Sequence, residues 1–436
     1  MAGPIKQSVD AEVIGAAEEN ASEESVKLSS QASQAVADPR DAEDPASASV
    51  DSVLEAIGFG RFQVMVMLIC GMGWFVDSVE VGGLTYIYVT LDAAWGTTTA
   101  HWGLLQSVKS ICSVGGSLCF GALADKLGRR PSFLAALTLT ALGGLASAAA
   151  QNYHSLLLLR AVTNVGAGGI LPVAISLLSE HLPPSVRESC MVLMQVFFVT
   201  GHVLAVVVSM ALPSTAGMWR LFLLALALPA SALLLAWRAV PESPVFLHQT
   251  GREEEARLAI EAICRFNRQG SQKAVLPERL RSCRPQEGKQ VTGIMRLFSS
   301  RSIAWQTASF GLLWALTMTA SDFTSWITEL GHAHGFHKHS VEGFMIACKV
   351  IGVLAFFAAA AFARGRRGHL ILCAGYLAAT AAAAAATAVA SLEMEGFWLP
   401  LAVGLLYFPF DVVWSLLYAV TASKFDPLCR ASALSA

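Results

Sequence analysis

The chain has 436 residues, of which 54% are hydrophobic and only 14% carry charged side chains. Soluble globular domains carry about 25% charged residues, so this composition excludes an ordinary soluble enzyme and indicates a chain that lies in lipid. The formal net charge of −2 is too small to indicate nucleic acid or another strongly charged partner.

The first 61 residues differ from the rest, with twelve Asp or Glu, four Lys or Arg and no apolar period. A segment of this composition cannot bury enough apolar surface to fold, and it is too acidic for a secretory signal peptide. We therefore predict a disordered acidic cytosolic tail over residues 1–57.

Ten apolar segments follow, each long enough to cross a bilayer, which requires about 20 residues. Backbone polar groups in lipid must be satisfied within their own segment, so the segments are predicted to be helices. The fold class is therefore an all-α membrane protein. The predicted spans are 62–84, 102–123, 131–150, 155–179, 189–212, 218–238, 303–328, 341–363, 369–390 and 397–421.

Lys and Arg are distributed unevenly between the two sides of these spans. With the N-terminus in the cytosol, 25 of the 30 basic residues fall on the cytosolic side and three lie within helices. Only Arg220 and Lys338 fall outside. Because basic loops stay in the cytosol, we predict a multi-pass membrane protein with a cytosolic N-terminus, in either the plasma membrane or a vesicle membrane.

Two short signatures recur along the chain at nearly one offset. A Gly-Arg-Arg run at 128–130 returns 237 positions later, and a Pro-x-x-Arg run at 184–187 returns 243 positions later. Parallel repeats of this kind are typical of transporters built from two homologous helical halves. We predict an N-terminal six-helix half over 58–238, a cytosolic linker over 239–302 and a C-terminal half over 303–436.

The second half holds only helices 7–10 of the twelve that two equal halves require. Either the sequence is a fragment, or the protein lacks its last two helices; we expect the first. The repeat is also worn, since Phe362 stands where an intact second copy of the loop carries Asp.

A charged hairpin, GALADKLGRR over 121–130, joins the second and third spans. It resembles the signature loop of the major facilitator superfamily of transporters. The GFGRFQ run at 58–63 and the acid pair in the first helix resemble the synaptic-vesicle-2-related group. The PESP run at 241–244 resembles sugar porters and organic ion transporters, and Arg160 with Gly166, Gly168 and Gly169 resembles the arginine-and-glycine helix of the same family.

The resemblance implies a major facilitator fold that moves a small organic solute. It also implies a cytosolic gate of charged and turn residues at the helix ends. The predicted gate residues are Gly121, Asp125, Gly128, Arg129, Arg130, Glu180, Arg187, Pro241, Glu242 and Ser243.

Ionisable residues within spans are functional candidates, because burying an unpaired charge in lipid is expensive. Asp77 and Glu80 are three residues apart on one face of the first helix. Two such carboxylates resist ionising together, which suits a proton carrier or a cation site. A fixed salt bridge with Lys109 is the structural alternative.

Further candidates repeat between the halves. Lys349 lies 240 positions after Lys109, and Asp322 lies 242 after Glu80. These acids and bases are expected to form an outer gate, unless the lysines simply extend to the outer headgroups. Arg160 is predicted to neutralise a first-helix acid, to bind a substrate carboxylate or to lie at the interface.

Two other features complete the list of candidates. The resemblance implies that helix 10 lines the cavity, which makes Asp411 a candidate substrate residue. The His332–His339 segment carries four histidines, and we expect a solvated loop rather than a zinc site. No phosphate-binding loop is present to suggest ATP.

We therefore predict a secondary active transporter of a small organic ion or carboxylate, a monomeric symporter rather than an enzyme, without a cofactor. Its partners are the solute, a proton and the lipid bilayer. One alternative is an uncoupled facilitator of sugars or polyols. Another is a membrane binding protein that does not transport, which the worn second half favours.

The predicted orientation is testable by cysteine labelling in a variant without native cysteines. A cysteine at Ser271 should react with an impermeant maleimide only after the cells are opened, whereas one at Thr98 should react in intact cells. Labelling at Ser271 in intact cells would contradict the orientation.

Overall fold

The computed structural model describes residues 47–212, 217–267, 279–280, 298 and 300–325, with single positions at 346, 353, 357, 417 and 421. Strand β1 (Ser47–Ala48) lies parallel to β2 (Arg279–Leu280), with Ser47 opposite Arg279. This strand pair belongs to one compact unit, and the described helices belong to another.

Apart from the strand pair, every regular element in the described part of the chain is helical, which confirms the predicted all-α class. Within the described residues, one 3₁₀ turn is formed, at Trp237–Ala239. In chain order the helices are α1 (Val50–Ile57), α2 (Arg61–Trp95), α3 (Thr99–Leu127), α4 (Arg129–Ser147), α5 (Tyr153–Ser179), α6 (Pro184–Leu193), α7 (Gln195–Ala211), α8 (Met218–Leu235), α9 (Pro244–Gln249), α10 (Glu253–Phe266) and α11 (Arg301–Ser325).

Five segments of the described helices are long and apolar enough to cross a membrane. They agree with the first, second, fourth, fifth and sixth predicted spans. The segments are Arg61–Gly83, Ala100–Leu127, Tyr153–Ser179, Pro184–Ala211 and Met218–Leu235.

The remaining predicted spans have different outcomes. The third, at 131–150, coincides with α4, which is less apolar than the five because it carries two arginines and several Ser, Thr and Gly residues. The seventh overlaps α11. The last three lie outside the described residues except for the single positions.

The tail prediction is wrong at its C-terminal end, since Val50–Ile57 forms α1. Four apolar residues at spacings of three and four form its buried face, namely Val50, Val53, Leu54 and Ile57. This face packs against α6 and α9. Tertiary burial stabilises an eight-residue helix that would be marginal alone, and that burial is not visible in the sequence.

Side-chain caps begin the two helices α3 and α5. Thr98 Oγ1 accepts from the backbone N–H of His101, and Asn152 Oδ1 accepts from that of Ser155. Each cap satisfies an N–H group that has no partner within its helix. The Tyr153 hydroxyl then donates to the carbonyl of His101 at 2.7 Å, which ties these helix starts together.

Helix α5 is central to the described bundle and packs against α2, α3 and α4. It meets α3 where two glycines oppose backbone. A Cβ on Gly116 would lie 2.0 Å from the carbonyl oxygen of Val165, and one on Gly168 would lie 2.0 Å from that of Ser113. The helices can approach this closely only because both positions lack side chains.

The GFGRFQ run attaches the linker to the start of α2. Asn267, which follows α10, accepts from the backbone N–H of Phe62 at 2.8 Å and donates to Gln63 Oε1 at 3.0 Å. A Cβ on Gly60 would lie within 2.6 Å of the Asn267 side chain. The motif therefore forms a docking point for α10 on the first spanning helix.

The α3–α5 contact predicts a difference between two adjacent glycines. Gly116→Ala should lower the unfolding free energy by about 1–3 kcal/mol, because overpacking forces backbone to move. Gly115→Ala is the matched control, since nothing lies within 4 Å of its Cβ position. Thermal unfolding in detergent measures both; equal melting temperatures would contradict the close crossing.

Candidate functional site

Four ionisable residues form a membrane cluster: Asp77, Glu80, Lys109 and Arg160. Its centre is an ion pair in which Arg160 Nη2 of α5 donates to Glu80 Oε2 of α2. Both side chains are buried, with 2% and 1% of their surface exposed. The predicted neutralisation of a first-helix acid by Arg160 therefore takes place at Glu80.

The ion pair leaves hydrogen-bonding capacity unused. Within the described residues, Glu80 Oε1 and Arg160 Nε are buried without a hydrogen-bond partner. The carboxylate lies beside Gly144 of α4, where a Cβ would be 3.3 Å from Glu80 Oε1. A bound polar group that donates to Glu80 Oε1 and accepts from Arg160 Nε would satisfy these atoms, whereas leaving them without partners costs free energy.

Asp77 lies one helical turn before Glu80 and is only 5% exposed. Its carboxyl makes no hydrogen bond to the rest of the described chain. The charges that act on it are Lys109 and Glu80. Lys109 of α3 donates from Nζ to the backbone carbonyl of Val81 at 3.2 Å, which places this ammonium beside the same stretch of α2.

The structure thus brings together the four membrane candidates of the N-terminal half. Asp322 belongs to α11, but the structure does not describe its side chain. Lys349, Asp411 and the His332–His339 segment lie outside the described residues. The described residues contain no group of three or more His, Cys, Asp or Glu that could hold a metal ion.

A second group, which we call the cytosolic cluster after its predicted side of the membrane, consists of Asp125, Arg129, Glu180 and Glu242. The Arg129 guanidinium at the start of α4 is buried and donates to Glu180 Oε1 at 3.0 and 3.2 Å. Asp125 Oδ1 at the end of α3 is 3.6 Å from Arg129 Nη2. Arg129 therefore joins the end of α3, the start of α4 and the end of α5.

Glu242 of the PESP run caps α4 from a distant part of the chain. Its Oε1 accepts from the backbone N–H groups of Arg129 at 2.9 Å, Arg130 at 3.2 Å and Ser243 at 3.0 Å. A carboxylate at a helix N-terminus satisfies unpaired donors and complements the helix dipole. Burial raises the pKa of Glu242, and these N–H donors together with Arg129 oppose that shift.

Gly128 is required at the junction for two reasons. Its φ of +112° lies in a region that side chains disfavour, and a Cβ would be 2.5 Å from Glu242 Oε2. The turn thus has room for the carboxylate only because residue 128 is glycine.

The other gate candidates are dispersed around this cluster. Gly121 is buried in α3, and Pro241 directly precedes Glu242. Ser243 caps α9, where its Oγ accepts from the backbone N–H of Phe246 at 3.1 Å. Arg130 contributes its backbone to the α4 cap.

Arg187 lies outside this cluster and pairs with a different acid. Its guanidinium binds Asp51 Oδ1 of α1 at 2.7 Å and the carbonyl of Leu182 at 3.1 Å. Glu55 Oε2 also accepts from the backbone N–H of Ser185 at 3.1 Å. Sequence reasoning missed both acids because it assigned them to a disordered tail, although the apolar spacing of α1 was the available signal.

Residues 14–436 match the family model described as "Sugar (and other) transporter". The chain is 28% identical over 383 residues to the niacin transporter NiaP of Acinetobacter baylyi, covering 87% of this chain and 84% of that one. It is 33% identical over 220 residues to organic cation/carnitine transporter 7 of Arabidopsis thaliana, covering 50% of this chain and 44% of the relative.

A third relative, the synaptic vesicle 2-related protein of Xenopus laevis, is 32% identical over 219 residues that span 50% of this chain and 39% of the relative. The matched residues thus make up less than half the length of the Arabidopsis and Xenopus relatives.

Solved structures share the fold. The major facilitator proton:xylose symporter XylE matches with a TM-score of 0.61 and 17% identity over 86% of this chain and 84% of that one. The human organic anion transporter MFSD10 matches with a TM-score of 0.59 and 19% identity, over 86% and 89% of the two chains. This chain therefore belongs to the sugar (and other) transporter family and is a multi-pass membrane protein with the major facilitator fold.

Proposed function

We propose that the protein is a proton-coupled secondary transporter of a small organic ion or carboxylate that works by alternating access. The observation that carries this proposal is the buried Arg160–Glu80 ion pair beside the buried carboxyl of Asp77. Family membership supports transport, and the membrane cluster supports the coupling. The names of the niacin and organic cation relatives support an organic ion as the substrate class.

The coupling step follows from the cost of charge in lipid. Asp77 is buried without a hydrogen-bond partner in the described chain, so its ionised form is costly. We infer that Asp77 takes up a proton when its site opens to one side and releases it on the other. Glu80, one turn away, receives the proton when its bond to Arg160 opens.

Proton transfer to Glu80 also explains how an anionic substrate would bind. Once the Glu80 carboxylate is neutral, its attraction for Arg160 weakens. The guanidinium can then bind a substrate carboxylate through two parallel hydrogen bonds. The substrate and Glu80 thus compete for the guanidinium of Arg160, and protonation of Glu80 favours the substrate.

The cytosolic cluster is proposed to keep the inner ends of α3, α4 and α5 together through the transport cycle. Arg129 is the shared donor, and it is buried with its two acids. Removing one acid would leave the buried Arg129 charge without its partner, which is strongly destabilising. Loss of one acid should therefore loosen all three helix ends.

The coupling proposal predicts separate effects on uptake and exchange. In proteoliposomes, Asp77→Asn or Glu80→Gln should abolish the acid stimulation of radiolabelled nicotinate uptake. Nicotinate exchange in the Asp77→Asn variant should persist, because exchange needs no net proton movement.

The control for that experiment is Glu261→Gln, which alters an exposed ion pair with Arg257 on α10. Acid stimulation that survives in the Asp77→Asn, Glu80→Gln double variant would assign both acids to structure. Uptake of xylose but not nicotinate, at a rate that the pH gradient does not change, would instead favour the uncoupled sugar facilitator.

The proposed role of the cytosolic cluster predicts that Glu180→Gln lowers both the melting temperature and the uptake velocity. Breaking a buried ion pair costs about 3–5 kcal/mol, because the remaining charge loses its partner. Asp125→Asn should act in the same direction but less strongly, since Asp125 is 3.6 Å from Arg129.

Glu255→Gln is the control for the cytosolic cluster, because its ion pair with Arg252 is exposed and screened by water. Thermal unfolding and uptake are measured on the same preparations. Normal velocity and stability in Glu180→Gln would remove the cluster from the mechanism.

A further inference from the structure

Trp237, which follows the end of α8, lies near two arginine side chains, Arg238 beside it in sequence and Arg130 of α4. Trp237 is 46% exposed. The guanidinium carbon of Arg238 lies 5.3 Å from the centre of its ring, and that of Arg130 lies 5.9 Å from it. Neither guanidinium has a hydrogen bond or an ion pair to another described residue. We call these three residues the Arg–Trp clasp.

A cavity of about 630 Å³ lies beside the clasp and is lined by Arg130, Trp237, Leu127, Leu134 and Leu258, among others. The two acids in its wall already have donors. Glu255 binds Arg252, and Glu242 Oε1 accepts three backbone N–H groups. Glu255 offsets Arg252, and the guanidinium charges of Arg130 and Arg238 exceed the single carboxylate charge of Glu242. The net charge of the cavity and the clasp taken together is therefore positive.

A stripe of exposed leucines runs along α8 towards the clasp. Leu221, Leu228 and Leu235 recur every seven residues and are 50%, 62% and 84% exposed, and Leu224 between them is 40% exposed. The fourteen residue-to-residue steps from Leu221 to Leu235 span roughly 21 Å of helix. An apolar stripe of this length on a spanning helix faces lipid tails.

We propose that the Arg–Trp clasp binds the phosphate of an anionic phospholipid headgroup, with an acyl chain of the same lipid along the α8 leucine stripe. Guanidinium groups match phosphate in charge and in planar hydrogen-bonding geometry. Tryptophan favours the headgroup level of a membrane. Basic pockets between spanning helices on the cytosolic side bind such headgroups, and α8 is predicted to end on that side.

The site adjoins the cytosolic cluster through Glu242, which lines the cavity, but the side chains of the clasp belong to neither cluster. Arg238 and Trp237 make no contact with the membrane cluster, and Glu180 and Asp125 bind Arg129 rather than the clasp. Free phosphate shares the chemistry of the headgroup but has no acyl chain that could pack on the leucine stripe. The two sources are therefore separable by experiment.

The test is lipid retention by the full chain in native mass spectrometry. The probes are phosphatidic acid and phosphatidylcholine with identical acyl chains, each added to delipidated protein. Phosphatidic acid should be retained preferentially, and Arg238→Gln should reduce its retention about fivefold, the effect of one basic residue at a membrane surface. Trp237→Leu should weaken retention of the same lipid.

Arg220→Gln is a matched control at the opposite end of α8. Arg220 also lies over a tryptophan, 4.4 Å from the Trp219 ring, but its Nη1 donates to the carbonyl of Ala148 at 2.8 Å. Retention of phosphatidic acid should be unchanged in this variant. Melting temperatures establish that each variant is folded, and the exposed Arg238 side chain makes a folding defect unexpected.

Three outcomes overturn the proposal. The first is equal retention of the two lipids by the unchanged protein. The second is an equal loss in Arg238→Gln and Arg220→Gln. The third is displacement of phosphatidic acid by millimolar inorganic phosphate, which would assign the clasp to a soluble anion instead.

Discussion

The described bundle depends on the hydrogen-bond acceptors for the buried guanidinium of Arg129 and for the backbone N–H groups at the start of α4. These donors lie side by side, and the Arg129 side chain is buried. Glu180 accepts from the guanidinium and Glu242 accepts from the backbone. Because unmet buried donors cost several kcal/mol in an apolar setting, these two acids fix where α4 begins relative to α5 and to the end of α8.

Helix α5 connects this arrangement to the interior of the membrane. It carries Arg160 within the membrane cluster and is followed immediately by Glu180 in the cytosolic cluster, about 30 Å further along the helix axis. Glycines on α5 bring α3 and α4 against it with little clearance. This close packing gives a displacement at one cluster a direct route along α5 to the other, as the proposed alternating access requires.

Several elements were predictable because their signals are local. The spans follow from apolar length, and the GRR and PESP runs follow from their residue types. The predicted acid–base contact in the first half is also present, although the sequence did not decide whether Arg160 would meet Asp77, Glu80 or a substrate.

The features that the sequence did not predict depend on contacts between residues far apart in the chain. The cap that Glu242 provides to α4 joins positions 113 residues apart, and the GFGRFQ motif acts through Asn267, more than 200 residues later. Helix α1 was not predicted for the same reason, because its apolar face is stabilised by contacts with the distant helices α6 and α9.

The distant cap on α4 also orders the biogenesis of the N-terminal half. When α4 leaves the ribosome, Glu242 has not yet been synthesised, and at 5–20 residues per second it follows roughly 6–23 s later. During that interval the backbone N–H groups at the start of α4 lack their final acceptor, although Glu180 is already available to the Arg129 guanidinium. The PESP run therefore supplies the last hydrogen-bond acceptor that the start of α4 requires.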